Sequence, residues 1–534
     1  MLAIVKSGSV LGIDGILVHV EADVANGLPG TNIVGLGDTA VQESKERVRA
    51  AIRNSGHQYP ATRITVNLAP ADLRKAGPAF DLAIALAILA SEGKVPALLA
   101  LPPATGPAPS GDTGPLPTTS PLATAPAPAL DSIVFLAELA LDGRLRPVHG
   151  VLAVAAEIRA RGLQLAVCEA NAAEAALVEG LTVWGLSSLN DAIALVGDPS
   201  RPPFVGAPPS GTWNFGADLA EVKGQSHVRR GLEIAAAGAH NLAMVGPPGS
   251  GKTMLARRLP SILPPMSAAE ALEVTKIYSI AGSLAPGAPL ITRRPFRAPH
   301  HSISPAGLIG GGTGSPLPGE VSMATHGVLF LDELAEFSRT VLEVLRQPLE
   351  DGFVTLSRSR ARHTFPAVFT MAAAMNPCPC GYAGDRLHAC TCGIQQIHRY
   401  WTRISGPLLD RIDLQIGVPR LTPAEILARP QGESSQTVRD RVLAARERQQ
   451  HRFQAQPRIF ANNQIRAADL QEYCQVDAAG RRLLAEALGK MGLSARSYDR
   501  VLKVARTIAD LDDRDRIGAD HVAEAIQYRR RVGA

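Results

Sequence analysis

The stretch Asn241–Leu255, NLAMVGPPGSGKTML, sets Gly246, Gly251, Lys252 and Thr253 at the spacing G-x-x-x-x-G-K-T, that of a phosphate-binding loop. Gly246, Gly249 and Gly251 allow backbone conformations closed to residues with a Cβ. The run Gly246, Pro247, Pro248, Gly249, Ser250, Gly251 can therefore wrap a phosphate and turn N–H groups inward. Lys252 is then expected to reach the β- and γ-phosphates of a nucleoside triphosphate, and the Thr253 hydroxyl to hold Mg²⁺. A chance glycine-rich turn has the same letters, but an apolar run precedes this one and a helical stretch follows it. Further along, Val328–Leu331 (VLFL) runs into Asp332 and Glu333. An acid at the end of a buried strand beside such a loop suits Mg²⁺ binding by Asp332, and Glu333 is placed to deprotonate an attacking water. Val368–Met375 (VFTMAAAM) ends at Asn376, whose amide could position that water or merely cap a strand end.

Three other groups carry chemistry. Cys378, Cys380, Cys390 and Cys392 form C-x-C-x₉-C-x-C. Four thiolates could close a tetrahedral structural Zn²⁺ site, with free thiols as the alternative and His388 as a spare ligand. Cys168 and Cys474 read as isolated small hydrophobes. In Val354–His363 (VTLSRSRARH), strand alternation would put Arg358, Arg360 and Arg362 on one face. That pattern suits contact with a nucleic-acid backbone, or equally a charged edge that blocks aggregation. The pair His300–His301 fits contact with nucleic acid or a neighbouring subunit better than metal ligation, because adjacent side chains diverge.

Elements that could hold these groups are legible from periodicity. Ile13–Ala22 and Thr62–Leu68 alternate like strands, while Thr39–Ile52 and Phe80–Ala90 have helical spacing. Pro102 to Pro128 is almost pure Pro, Ala, Thr, Ser and Gly with one charge at Asp112, and reads as a disordered insert. Strand and helix patterns resume and run to about 197. The Pro/Gly-rich stretch 198–211 reads as a linker, 212–420 as an α/β core, and 421–534 as helix after helix. In that last region the expected helices begin at Pro423–Ala428, Thr437–Phe453, Asp477–Lys490, Ser497–Leu511 and Ala519–Arg531.

A chain of 534 residues suits about three domains. Net charge is +5, and the residues after 420 hold 20 Lys and Arg against 15 Asp and Glu, so the whole excess lies there. That permits a polyanionic partner and equally describes a solvated helical surface. Neither a charged-then-apolar leader nor an uninterrupted apolar span of bilayer length is legible, and the cysteines suit a reducing compartment. A cytoplasmic protein without a membrane partner is expected.

FRAPHHSIS, PLPGEVSMATHGVLFLDEL, AAAMNPCPCG and RISGPLLDRIDLQI resemble the ComM/YifB family of magnesium-chelatase-like AAA+ ATPases, over nearly the whole chain except the Pro/Ala-rich insert. GLPGTNIVGLGDTAVQESKERVRAAI, NLAPADLRKAGPAFDLAIALAIL and AELALDGRLRPVHGVLAVAAEI resemble the Lon-protease-like, ribosomal-S5-type domain of such ATPases, so the resemblance implies an α/β protein with that domain over residues 1–197, then a AAA+ core and a helical lid. In proteases of that first fold a serine and a lysine form the dyad. Here Ala79 and Leu152 stand at those positions, so neither the hydroxyl nucleophile nor the amine base is present. The family further implies a homo-hexamer that hydrolyses ATP with Mg²⁺ between subunits and acts on single-stranded and branched DNA. Its helicase activity promotes branch migration during integration of transforming DNA. By motif position, Asn376 is sensor 1, Arg411 the arginine finger with Arg403 as second candidate, and Arg496 sensor 2. For Arg411 a surface ion pair with Asp410 or Asp413 is the plainer reading. Two other functions stay open: a motor subunit for Mg²⁺ insertion into a porphyrin, and an ATP-regulated scaffold with an inactive protease-like domain.

Overall fold

In the computed structural model, apolar residues at alternate positions make the first two strands. Ala3 and Val5 on β1 (Leu2–Leu11) and Val18, Val20 and Ala22 on β2 (Asp14–Ala25) are buried. Gly12, at φ +67°, turns the chain between them, and the pair runs antiparallel from Leu2↔Asp23 to Leu11↔Asp14. β3 (Gly30–Val34), β4 (Arg63–Ala69) and β5 (Ile133–Leu136) follow, then the short antiparallel pair β6 (Glu138–Leu139) and β7 (Leu145–Arg146). With β8 (Gln164–Cys168) and β9 (Val183–Leu186) they complete a seven-stranded mixed sheet ordered β3-β4-β2-β1-β5-β8-β9. Helix Asp81–Ser91 is buried along its whole length against β1 and β2. Its Ala, Leu and Ile composition requires such all-round cover. β1 itself was not among the sequence expectations, although its residues alternate.

The structure describes residues 2–35, 37–71, 75, 77–95, 130–197, 201–205, 216–284, 290–312, 316–358, 361–385, 387–427, 432–456, 459–491 and 494–529. The Pro/Ala-rich insert expected at about 102–128 and most of the expected linker, 198–211, lie outside them. No helix among the described residues is long and apolar enough to cross a membrane.

A second sheet begins with β10 (Leu242–Val245) and β11 (Phe296–Arg297). After the small hairpin β12 (Gly310–Gly311) and β13 (Leu317–Pro318) come β14 (Val328–Leu331), the hairpin β15 (Phe353–Arg358) and β16 (Ala361–Pro366), β17 (Thr370–Met375) and β18 (Leu414–Gly417). Five strands form a parallel sheet ordered β11-β14-β17-β10-β18. Both of its faces are covered, which is why its strands read as unbroken apolar runs. Leu242 and Met244 pack with helix Ser226–Gly238 and the C-terminal helices, whereas Ala243 and Val245 face Leu331, Leu342 and Met371. The C-terminal helices Ser435–Arg452, Ala478–Met491, Ala495–Leu511 and Ala519–Gln527 start within two residues of expectation. They share one core with the P-loop strand.

One expectation is corrected here. Val354–His363 is not one strand but belongs to two, Phe353–Arg358 and Ala361–Pro366, which pair antiparallel. Ser357 pairs with Arg362 and Arg358 with Ala361, so positions 358 and 362 fall on opposite faces of the ribbon. Alternation along a single strand would put them together; the antiparallel pairing of two strands resets the count. Arg362 is exposed, on the face away from buried Val354 and Phe365. Arg360 lies outside the described residues.

Candidate nucleotide-binding site

Parallel strands deliver their following loops to one edge, and here β10, β14 and β17 run side by side into Gly246, Asp332 and Asn376. The loop after β10 is held tightly. A Cβ on Gly246 would stand 2.1 Å from the Val418 carbonyl oxygen. Gly249 and Gly251 adopt φ +75° and +90°, the left-handed region that glycine tolerates. Gln225, itself at φ +50°, donates from Nε2 to the Ser250 carbonyl at 2.9 Å and to the Pro419 carbonyl at 3.2 Å. It ties the loop to the exit of β18. In the sequence Gln225 closes the stretch Phe215–Gln225 ahead of the helix that leads to the loop, and its reach to Ser250 and Pro419 shows only in the fold.

Lys252 Nζ donates to the carbonyls of Gly246 (2.7 Å) and Pro247 (2.9 Å) and to Asn376 Oδ1 (3.3 Å). Burial pushes its pKa down, while Asp332 and Glu333 act on it only through space, in the opposite sense. A half-buried ammonium whose contacts are neutral oxygens is a group that an anion stabilises. Thr253 Oγ1 donates to Asp332 Oδ2 at 2.7 Å, so hydroxyl and carboxylate already face each other. The buried hydroxyl of Ser250 has no hydrogen-bond partner. Glu333 stands at φ +53°, and its N–H donates to Asp332 Oδ1 at 3.0 Å. Its carboxylate is 59% exposed and lies 3.7 Å from His301 Nδ1. These residues fit a triphosphate and Mg²⁺: Lys252 for the phosphates, Thr253 and Asp332 for the cation.

The four cysteines converge. Their sulfurs all lie within 4.8 Å of one another, at 3.3 Å for Cys378–Cys380 and 3.6 Å for Cys378–Cys390 and Cys380–Cys390. Four sulfurs around Zn²⁺ at the usual bond length stand about 3.8 Å apart, so the donor set fits that ion. Backbone N–H groups of Tyr382 and Thr391 hold the Cys380 thiol down to about 5, and Ala383 N–H donates to Cys378 Sγ at 3.3 Å. This knuckle is built onto the P-loop. A Cβ on Gly381, at φ +86°, would stand 2.7 Å from Pro248 Cδ. Arg420, 3.5 Å from buried Asp385, also donates to the Pro248 carbonyl at 3.4 Å.

The arginines divide between the two ends of the sheet. Arg403 is exposed and pairs with Glu336 at 3.1 Å, just past Glu333. Arg411 precedes β18, at the opposite end from the P-loop; it is 4% exposed, paired with Glu350, and donates to the Pro407 carbonyl at 2.6 Å. The neighbours named in its plainer reading are not its partners: Asp413 is taken by Arg500 and by the Asn241 N–H at 2.9 Å. Arg346 and Arg496 lie close enough to lower the Arg411 pKa, although burial does so most. Arg496 is exposed at the start of helix Ala495–Leu511. Ala79 and Leu152 sit in one apolar cluster, and the Leu152 N–H donates to Glu174 Oε1 at 3.1 Å.

Models of known families match along most of the chain: magnesium chelatase subunit ChlI over residues 218–426, its C-terminal region over 432–529, and subunit ChlI of Mg-chelatase over 20–101. The chain is 42% identical over 538 residues to a Salmonella typhimurium protein named Uncharacterized protein YifB, covering 99% of this chain and 97% of that one. It is 42% identical over 525 residues to Uncharacterized protein Rv2897c of Mycobacterium tuberculosis, covering 98% and 97%. It is also 42% identical over 538 residues to Competence protein ComM of Haemophilus influenzae, covering 99% and 98%.

Proposed function

The chain belongs to the ComM/YifB family of magnesium-chelatase-like AAA+ proteins, and from that premise we propose an ATP-hydrolysing DNA motor, a helicase that promotes branch migration during integration of transforming DNA. The convergence of Lys252, Thr253, Asp332 and Asn376 at one edge of the parallel sheet carries the hydrolytic half. Lys252 binds the phosphates, Thr253 and Asp332 hold Mg²⁺, and Glu333 takes a proton from the attacking water while Asn376 helps to orient it. Mg²⁺ supplies neutralisation of the charge that develops on the phosphoryl oxygens. The DNA half is supported by the name of the Haemophilus relative and by the exposed Arg362 ribbon.

The assembly is read as a homo-hexamer, and the place of Arg411 supports hydrolysis between subunits. Four residues of strand separate its end of β18 from the P-loop edge, about 13 Å of rise, so it cannot serve its own site. Arg403 sits beside its own acidic loop, on the nucleotide-bearing edge. Arg411 is therefore the better finger for a neighbour's nucleotide, with Arg496 beside it, once Glu350 releases it. The cysteine knuckle is read as a structural Zn²⁺ site. The first sheet is read as a Lon-like module without proteolytic chemistry.

ATP hydrolysis and strand separation measured on forked and three-stranded DNA test the reading, with Lys252→Ala as the inactive reference. Rates that ignore DNA and duplexes left intact would defeat it. The family-model matches favour a second reading, a chelatase motor subunit, which requires an ATPase rate that responds to porphyrin and partner subunits.

A further inference from the structure

Away from the nucleotide edge, a cavity of about 360 Å³ opens where the layers of the two sheets meet, and Val148, His149, Asn171, Glu174, Ser279 and Gly282 are among its lining. Local sequence shapes its walls. Helix Ala268–Ile280 ends at Gly282, whose φ of +66° is the left-handed stop that glycine supplies. A Cβ there would stand 3.3 Å from His149 Cε1, so the bare backbone lets the imidazole lie against the helix end. Asn171 fixes another wall: its Oδ1 accepts from the Val148 N–H at 2.9 Å and its Nδ2 donates to the Val148 carbonyl at 3.0 Å.

Glu174 is the charged member of this lining and is 7% exposed. Its Oε1 accepts from the Leu152 N–H at 3.1 Å and from the Ser279 hydroxyl, and its Oε2 accepts from Asn171 Nδ2 at 3.2 Å. The Leu152 bond caps helix Val151–Ala160, whose own N-cap residue, Gly150, has no side chain to offer. Capping therefore accounts for Oε1. A carboxylate has about four lone-pair sites, so one on Oε2 is left without a donor. All three donors are neutral, and no Lys, Arg or His among the described residues pairs with this acid. A buried charge is ordinarily matched by an opposite one. His149 is exposed, and its ring nitrogens make no hydrogen bond among the described residues.

We propose that this cavity binds a small organic cation, a primary ammonium or guanidinium on a short aliphatic stem. Glu174 Oε2 accepts from the cationic head, and a His149 ring nitrogen accepts a second N–H. Pro147, Val148 and Leu284 give the stem an apolar wall. The volume lies at the lower end of the roughly 300–1,000 Å³ of small-molecule pockets, which favours a free small molecule over a macromolecular partner. Glu174 and His149 belong to the first sheet's layer and Ser279 and Gly282 to the second's, so an occupant touches both and stabilises their contact. No residue of the cavity belongs to the nucleotide edge, and binding is read without ATP.

The test uses the full-length chain without nucleotide, and n-butylguanidinium, n-butylammonium and the neutral isostere n-butylurea as probes. Ligand-observed NMR titration gives affinity, and the melting temperature is the second readout. At least one of the cations should bind with a Kd of about 1 mM or tighter and raise the melting temperature as its concentration rises. Butylurea should bind at least about tenfold more weakly. Glu174→Gln, which keeps the size of the side chain and removes its charge, should weaken cation binding at least about tenfold. His149→Leu, at an exposed position, should weaken it about threefold and melt like the wild type when no cation is present. Failure of both cations to bind, butylurea bound as tightly as the cations, or unchanged binding in His149→Leu would each overturn the proposal. So would a folded Glu174→Gln that binds the cations as the wild type does. Should Glu174→Gln fail to fold for want of its helix cap, the butylurea comparison and His149→Leu decide.

Discussion

Asp413 shows how a single buried acid can decide the shape of a sheet edge. Its side chain has no exposure, accepts from Arg500 and from the Asn241 N–H, and faces His240 at 3.5 Å. Asn241 extends the stitch, donating to the Arg411 carbonyl at 3.2 Å and accepting from the Met371 N–H at 2.8 Å. Arg500 and His240 hold the Asp413 carboxyl well below the usual carboxylate range against the cost of its burial. A depressed folded-state pKa means that the unfolded chain binds the proton more readily. The stabilisation is therefore complete above about pH 4 and is lost as pH falls through the folded value. Asp413→Asn should cost about 3 kcal/mol near neutrality, because it leaves Arg500 without its partner. Acid titration followed by circular dichroism should show the wild-type advantage shrinking below about pH 4; an advantage constant with pH would mean the carboxylate is not the source. At the nucleotide edge, Lys252→Ala should weaken ATP binding about ten- to hundredfold, the worth of charge-assisted hydrogen bonds. Glu333→Gln should bind ATP normally and hydrolyse it at least about a hundredfold more slowly. Equilibrium binding set against single-turnover rates separates the two.

Elements whose pattern is local are legible in the sequence. The P-loop, the acidic strand end and the C-terminal helices each announce themselves within one window of sequence, and their bounds in the fold differ by only a few residues. What failed was pattern that depends on a partner. Alternation misplaces the arginines because it does not show that the stretch divides into two paired strands. The contacts of Gln225 and Arg420, and that of His301 with Glu333, carry no local signal because each is made with a residue far along the chain. The cysteine knuckle is an intermediate case: its spacing was plain, but its seat against Pro248 was not. That seat has a consequence. On the proposed Zn²⁺ reading, the ion would also fix Gly381 against the P-loop, so stripping the metal with a strong chelator should weaken ATP binding. Gly381→Ala should do the same with the metal in place, since the added Cβ meets Pro248 and the left-handed backbone is strained by about 1–3 kcal/mol, or roughly tenfold in affinity. Metal content by atomic emission should be about one Zn²⁺ per chain; a stripped protein that binds ATP as tightly as the loaded one would separate knuckle from loop.

Across the whole molecule, the two sheets meet at defined points. Ser279, from the helix Ala268–Ile280 of the second sheet's layer, donates to buried Glu174 at 2.5 Å and accepts from the Gly150 N–H at 3.0 Å. At Gly12 the first hairpin approaches the Thr364 carbonyl so closely that a Cβ would stand 3.0 Å from it. The first sheet thereby touches both the helical layer and the arginine ribbon. The larger consequence concerns the opposite ends of the parallel sheet. Lys252 and Glu333 occupy one end, while Arg411, Arg346 and Arg496 gather toward the other, where Glu350 is the acid on Arg411. Arg346 has Glu343 at 2.9 Å, so two acids face three guanidiniums; on the proposed assembly, a neighbour's triphosphate would supply the further negative charge. Arg411→Ala should then bind ATP normally yet hydrolyse it about a thousandfold more slowly, and Lys252→Ala should be inactive through its own site. Co-expressed, each variant supplies what the other lacks. Where an Arg411→Ala subunit offers its intact P-loop to the Arg411 of a Lys252→Ala neighbour, the junction is complete. With random mixing about one junction in four qualifies, so the mixed oligomer should recover about a quarter of the wild-type rate if junctions act independently. A finger that served its own subunit would give no recovery at any mixing ratio.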